Sequence, residues 1–126
     1  MVDSLAVRLD AIIPGISQHL EDLPAQDEAK ARTVLGLILR WGCDASHVAS
    51  ILSARSAFKS IPGNWVEPRL KELVPEYLDL SDEWHYRRLL ELLHEAKLDL
   101  IQFYIAQGKA AEDAGIREAA ADFGDA

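Results

Sequence analysis

A single cysteine, Cys43, serves the whole chain. One thiol closes no internal disulfide and makes no zinc site, so neither staple is available to this fold. Cys43 reads as a small buried hydrophobe in a turn, with a reactive thiol as the alternative. Long apolar runs are missing too. After Gly36 the longest aliphatic run is Leu37–Leu39, far short of the ~20 residues that cross a bilayer. Met1-Val2-Asp3-Ser4 carries neither the basic region nor the apolar run of a secretion signal, which with the lone thiol predicts a cytoplasmic protein without a membrane partner. Positive charge is scarce: Lys and Arg number 13 against 21 Asp and Glu, a net charge of −8. That field repels phosphate backbones and anionic lipid, and draws in basic partners. There is no Gly-rich phosphate loop, no Gly-x-Ser-x-Gly elbow and no Ser/His/Asp spacing. His19, His47, His85 and His94 are scattered. No catalytic residue, cofactor or metal is expected from these patterns.

What is present is the composition of one folded domain, residues 1–126. Of the 126 residues, 49% are hydrophobic and 27% charged, which excludes a disordered chain. A chain this long buries roughly two-thirds of its unfolded surface, enough for a core without staples. The apolar residues recur at helical spacing, and no segment reads as a strand. The fold class is all-α: antiparallel helical hairpins packed as a short solenoid or as an irregular bundle.

The breakers and caps place the helices. Asp3 or Ser4 caps a first helix to about Ile13, Pro14-Gly15 breaks it, and a short helical stretch follows to Leu23. A second helix spans about Gln26 to Trp41, with Asp27 and Glu28 at the positive end of its dipole. Val34, Leu35, Leu37, Ile38, Leu39 and Trp41 wrap most of its circumference, so it is the central helix. Gly36 inside it points to close approach of a neighbour. Gly42 sits where a C-terminal cap belongs. Asp44 caps a helix from about Ala45 to Ala54, with Val48, Ile51 and Leu52 facing inward. Residues 55–63 read as a connection anchored by Phe58 and Ile61. Asn64 and Glu67 form a capping-box variant for the next helix, which Val74-Pro75 ends. Ser81 or Asp82 opens a helix whose stripe is Tyr86, Leu89, Leu90, Leu93 and Ala96. Whether it breaks near Lys97-Leu98-Asp99 is open. Gly108 ends that segment, and Asp113 caps a last helix from about Ala114 to Phe123.

Two further patterns bear on architecture. Asp27-Glu28, Arg32, Leu35 and Leu37 recur at one constant offset as Asp82-Glu83, Arg87, Leu90 and Leu92, with Leu23 matched by Leu78 and Asp44 by Asp99. A repeat would make both halves helix–turn–helix units, with Asp99 capping a separate helix. In addition, Asp113, Ile116, Arg117, Ala119 and Ala120 fall in the order Asp, aliphatic, Arg, paired Ala. This segment resembles the second-helix opening of a HEAT repeat. The resemblance implies stacked helix pairs, Asp and Arg bonding neighbouring repeats, alanines that allow close packing, and protein binding along one surface without catalysis. The chain lacks a clean run of equal repeats, and 55–79 departs from the pattern.

The remaining candidates concern binding. Glu91-x-x-His94 is half of a di-iron helix motif, but no second Glu-x-x-His accompanies it. On a helical wheel both residues share an outer, solvated face with Arg87, Arg88 and Glu95. Trp84 lies nearly opposite Leu93, beside Arg88, Glu91 and Glu95; it either packs under the 55–79 segment or is an exposed binding anchor. Trp65 has the same two readings, whereas Trp41 reads as core. The candidate partner-binding residues are therefore Trp84, Trp65, Arg88, Glu91 and Glu95. Residues 37–51 partly fit a DNA-binding helix-turn-helix with Gly42 in the turn, but Ser46, His47, Ser50 and Ser53 offer little to phosphate or base edges.

The function expected first is a non-catalytic helical protein–protein interaction module, acting on a protein partner that is possibly basic. A small acidic immunity- or antitoxin-type inhibitor is the second reading, and a DNA-binding helix-turn-helix protein the third. A homodimer is possible, because terminal solenoid units bury their ends by association.

Overall fold

The order of elements follows from the caps and breakers. The computed structural model describes residues 4–44 and 48–124. Among these residues seven α-helices follow one another: α1 (Leu5–Ile12), α2 (Glu28–Asp44), α3 (Val48–Ser60), α4 (Gly63–Tyr77), α5 (Glu83–Glu95), α6 (Ile101–Lys109) and α7 (Ala114–Gly124). Two 3₁₀ turns, Ile16–Gln18 and Leu20–Ala25, join α1 to α2. Among the described residues there is no strand, and the fold is an all-α bundle.

Helix α2 is the hub. It packs against α1, α3, α4 and α5, and Val34, Leu35, Ile38 and Leu39 on it are fully buried. One apolar cluster runs from Leu5 to Ala120. Gly36 permits the close approach its position predicts, but the neighbour is a side chain. The ring of Tyr77, at the end of α4, lies where a Cβ at position 36 would stand.

Several boundaries differ from the expectations, each for a physical reason. Gly42 is not a cap: α2 runs through it to Asp44, and Gly42 is buried near Ala54 and Leu92. Cys43 is buried as expected, but on this helix rather than in a turn. The cap expected from Asp44 falls on residues 45–47, outside those described, as do Ser46 and His47. The expected connection 55–63 is helical as far as Ser60, because Ile51, Ala54, Phe58 and Ile61 bury one continuous stripe. Leu52 lies off that stripe and is 56% exposed, contrary to the inward orientation expected. Helix α4 starts at Gly63 after Pro62, without an Asn64 side-chain cap, and passes Pro75 to end at Tyr77. A proline inside a helix costs about 3 kcal/mol. Burial of Leu70, Leu73 and Val74 and a closing bond from Leu78 N–H to Val74 O, 2.8 Å, oppose that cost.

The open question near Lys97 is settled by backbone geometry. Helix α5 ends at Glu95, and Lys97 takes the left-handed conformation with φ 57°. Lys97 N–H then donates to His94 O and Leu98 N–H to Leu93 O, both at 3.1 Å. This left-handed cap satisfies carbonyls that the helix end would otherwise orphan. The separate helix α6 follows, but Asp99 does not cap it. Glu67 of α4 reaches across instead, its carboxylate accepting from Leu100 N–H at 2.8 Å.

Candidate functional site

Asp82 fixes the head of α5. Its carboxylate accepts from Trp84 N–H at 2.8 Å and His85 N–H at 3.3 Å, as an N-cap should. Tyr86, Leu89, Leu90, Leu92 and Leu93 then point into the core and are at most 1% exposed. Helical phase leaves Trp84 outside. It is 62% exposed, so it does not pack under the 55–79 segment. The guanidinium of Arg88, one turn on, sits 5.8 Å from the ring centroid.

The rest of this face is less open than expected. Glu91 is not simply solvated, because Arg55 from α3 pairs with it. Arg55 lies on α3 rather than in the connection expected over 55–63, and nothing local in the sequence signals its pairing. Its side chain is 18% exposed, and its buried Nε stands 3.4 Å from Glu95 Oε2 without hydrogen-bond alignment. Arg88 Nη1 adds a third contact, 3.4 Å from Glu91 Oε1. Arg55 and Arg88 therefore balance Glu91 and Glu95, while the exposed Asp82 carboxylate at Trp84 N–H adds a negative charge beside the indole. His94 is turned away from Glu91, edge-on to Phe123 at 5.8 Å between ring centroids. The structure thus brings Trp84, Arg88, Glu91 and Glu95 together.

Trp65 does not join them. It is 8% exposed, and Arg69 on the next turn lies over its ring at 4.3 Å. Arg69 is held there by Glu28, Nε to Oε2 at 2.9 Å. Trp65 is a covered core residue, so the expectation that it is a free anchor is corrected. Trp41 is half-buried against the core, with Arg8 5.9 Å from its ring.

Of the groups with reactive potential, Cys43 is covered and His85 is engaged. Burial pushes the Cys43 thiol up to about 12, so its nucleophilic thiolate is suppressed. His85 Nδ1 accepts from Asp79 N–H at 3.0 Å, so Nε2 carries the proton toward Asp44 Oδ1 at 2.8 Å. The imidazole ties the connection before α5 to the end of α2. Bonds from the Ser81 hydroxyl and N–H hold the Asp79 carboxyl below its ordinary range.

Glu28, Glu72, Glu83, Glu91, Glu95 and Asp122 are each met by an arginine, across α2, α4, α5 and α7. The two copies of the repeated pattern behave alike at their starts. Arg32 meets Glu28 at 3.5 Å and also pairs with Glu72 of α4; Arg87 meets Glu83 at 3.7 Å and also pairs with Asp122 of α7. At the HEAT-like segment, Asp113 accepts from Ile116 N–H at 3.0 Å. Arg117 donates to the carbonyls of Ala111, 2.9 Å, and Glu112, 2.6 Å.

No family model, curated protein or solved structure matches this chain. Among the described residues a groove of about 540 Å³ opens between α1 and α3, lined by Leu5, Leu9, Leu20, Leu52 and Ser56. Among the described residues no helix is long and apolar enough to cross a membrane.

Proposed function

We propose that this chain is a non-catalytic helical module that binds another protein through the outer face of α5, with Trp84 as anchor. One observation carries the reading: an indole 62% exposed on a helix whose opposite face is sealed into the core. A tryptophan left in water on a rigid helix is preorganised, and covering it contributes roughly 2–4 kcal/mol to an interface. Arg88 lies along the ring and Arg55 holds Glu91, so the surroundings of the anchor are already ordered.

The exposed indole favours a partner with an apolar pocket at the centre of contact. The net charge of −8 acts at longer range and speeds the approach of a basic protein. The parallel roles of Arg32 and Arg87 support a HEAT-like pairing of helices. A buried, lone cysteine suits the cytoplasm. A second copy of the chain is an admissible partner for the same face.

The test is affinity capture with the wild-type chain and Trp84→Ala side by side. A partner retained by the wild type across salt concentrations and lost with Trp84→Ala supports the proposal; identical retention by both contradicts it.

A further inference from the structure

The link between α1 and α2 carries a ligand set that α-helical spacing conceals. His19 closes the 3₁₀ turn Ile16–Gln18 and opens the next, Leu20–Ala25. His19 has φ −142° and ψ 44°, outside the 3₁₀ conformation, and its carbonyl accepts from Asp22 N–H. His19 and Asp22 are three apart, and Glu21 lies between them in the same turn. One donor atom from each of the three side chains falls within 4.8 Å of the other two. His19 Nδ1 stands 3.7 Å from Glu21 Oε1, close to the ~3.4 Å between ligands of a tetrahedral site with bonds of about 2.1 Å.

The backbone beneath these groups is fixed. His19 N–H donates to Ile16 O and Asp22 N–H to His19 O, both at 2.9 Å. Ile16, Leu20 and Leu23, 2%, 5% and 0% exposed, anchor the turn to the core. The three donors face solvent, so an ion enters freely and water fills its remaining positions.

We propose that His19, Glu21 and Asp22 form a binding site for one divalent first-row transition ion, of which zinc is the representative. The imidazole sets the class: nitrogen with two carboxylates suits zinc, cobalt or nickel, whereas calcium and magnesium require oxygen sets. Two carboxylates neutralise the ion's charge. The site is independent of the α5 face, and its bound ion would clip the α1–α2 link to itself.

Isothermal titration of the full chain with zinc chloride at pH 7.5 tests this, with cobalt absorption as a second readout. The expected result is saturable binding of one ion, weakened at least about tenfold by either His19→Ala or Asp22→Asn, and unchanged by His94→Ala. Cobalt should give visible d–d bands that the same two variants abolish, and magnesium should give no heat. Circular dichroism verifies that each variant keeps its helix content. Absence of saturable zinc binding, or binding unaffected by both His19→Ala and Asp22→Asn, overturns the proposal.

Discussion

Tyr77 occupies the space that a side chain at Gly36 would need, which locks the end of α4 onto the middle of α2. The guanidinium of Arg40, 6.0 Å from the ring, borders it on the same helix as Gly36. Two opposing effects meet at position 36. Alanine would raise helix propensity by about 1 kcal/mol, yet its methyl would displace the ring, and such overpacking costs roughly 1–3 kcal/mol. Gly36→Ala is therefore expected to destabilise the protein by about 1 kcal/mol in urea unfolding. In a Tyr77→Ala background the clash is gone, and the same substitution should stabilise by a similar amount. This reversal of sign is the signature of the contact.

Lys97 holds a left-handed conformation at the end of α5, which costs a residue with a Cβ about 1 kcal/mol relative to glycine. Lys97→Gly should raise the urea midpoint by an amount equivalent to roughly 0.5–1 kcal/mol. A lowered midpoint would mean that the turn is not left-handed.

Alkali should weaken the fold through three buried protons. Burial raises Cys43 from 9.0 to about 12, and likewise raises Tyr86 and Tyr104 from 10.0 to about 12. The folded state prefers the neutral forms. Their contribution is complete below the unfolded pKa values and is lost as pH rises toward about 12, because the unfolded chain releases these protons first. Urea midpoints should hold to pH 9 and fall beyond it, with Cys43→Ala deferring the onset toward pH 10. At pH 8 the native thiol should react with a disulfide reagent ~1,000-fold more slowly than in the unfolded chain, from thiolate population alone.

Periodicity made most of the core legible. The stripe of α5, the buried turns of α2, Asp113 as a cap and Trp84 on the outer side of its helix are direct consequences of a 100° turn per residue. The failures share a cause: local signals overridden by partners distant in sequence. Residues 55–63 read as a connection, although Phe58 and Ile61 continue the buried stripe of α3. Pro75 read as a stop, although Val74 and Tyr77 hold the helix on. Lys97 concealed a left-handed cap because glycine is its usual sign. Trp65 and Trp84 are each followed four residues on by an arginine that meets the ring, and what separates them is the packing of Trp65 into the core cluster, which leaves Trp84 outside. Arg55, assigned to a connection, gave no hint that it would meet Glu91.

Photo-crosslinking from position 84 is the most direct measurement of the outward role assigned to α5. A benzophenone amino acid replaces Trp84 in one sample and the exposed Glu118 of α7 in another. Both are irradiated in cytosol of the source cell, and the adducts are identified by mass. The account predicts one dominant adduct from position 84, absent from position 118, that excess wild-type protein competes away and excess Trp84→Ala does not. The same adducts from both positions, or competition by Trp84→Ala equal to that of the wild type, would contradict it.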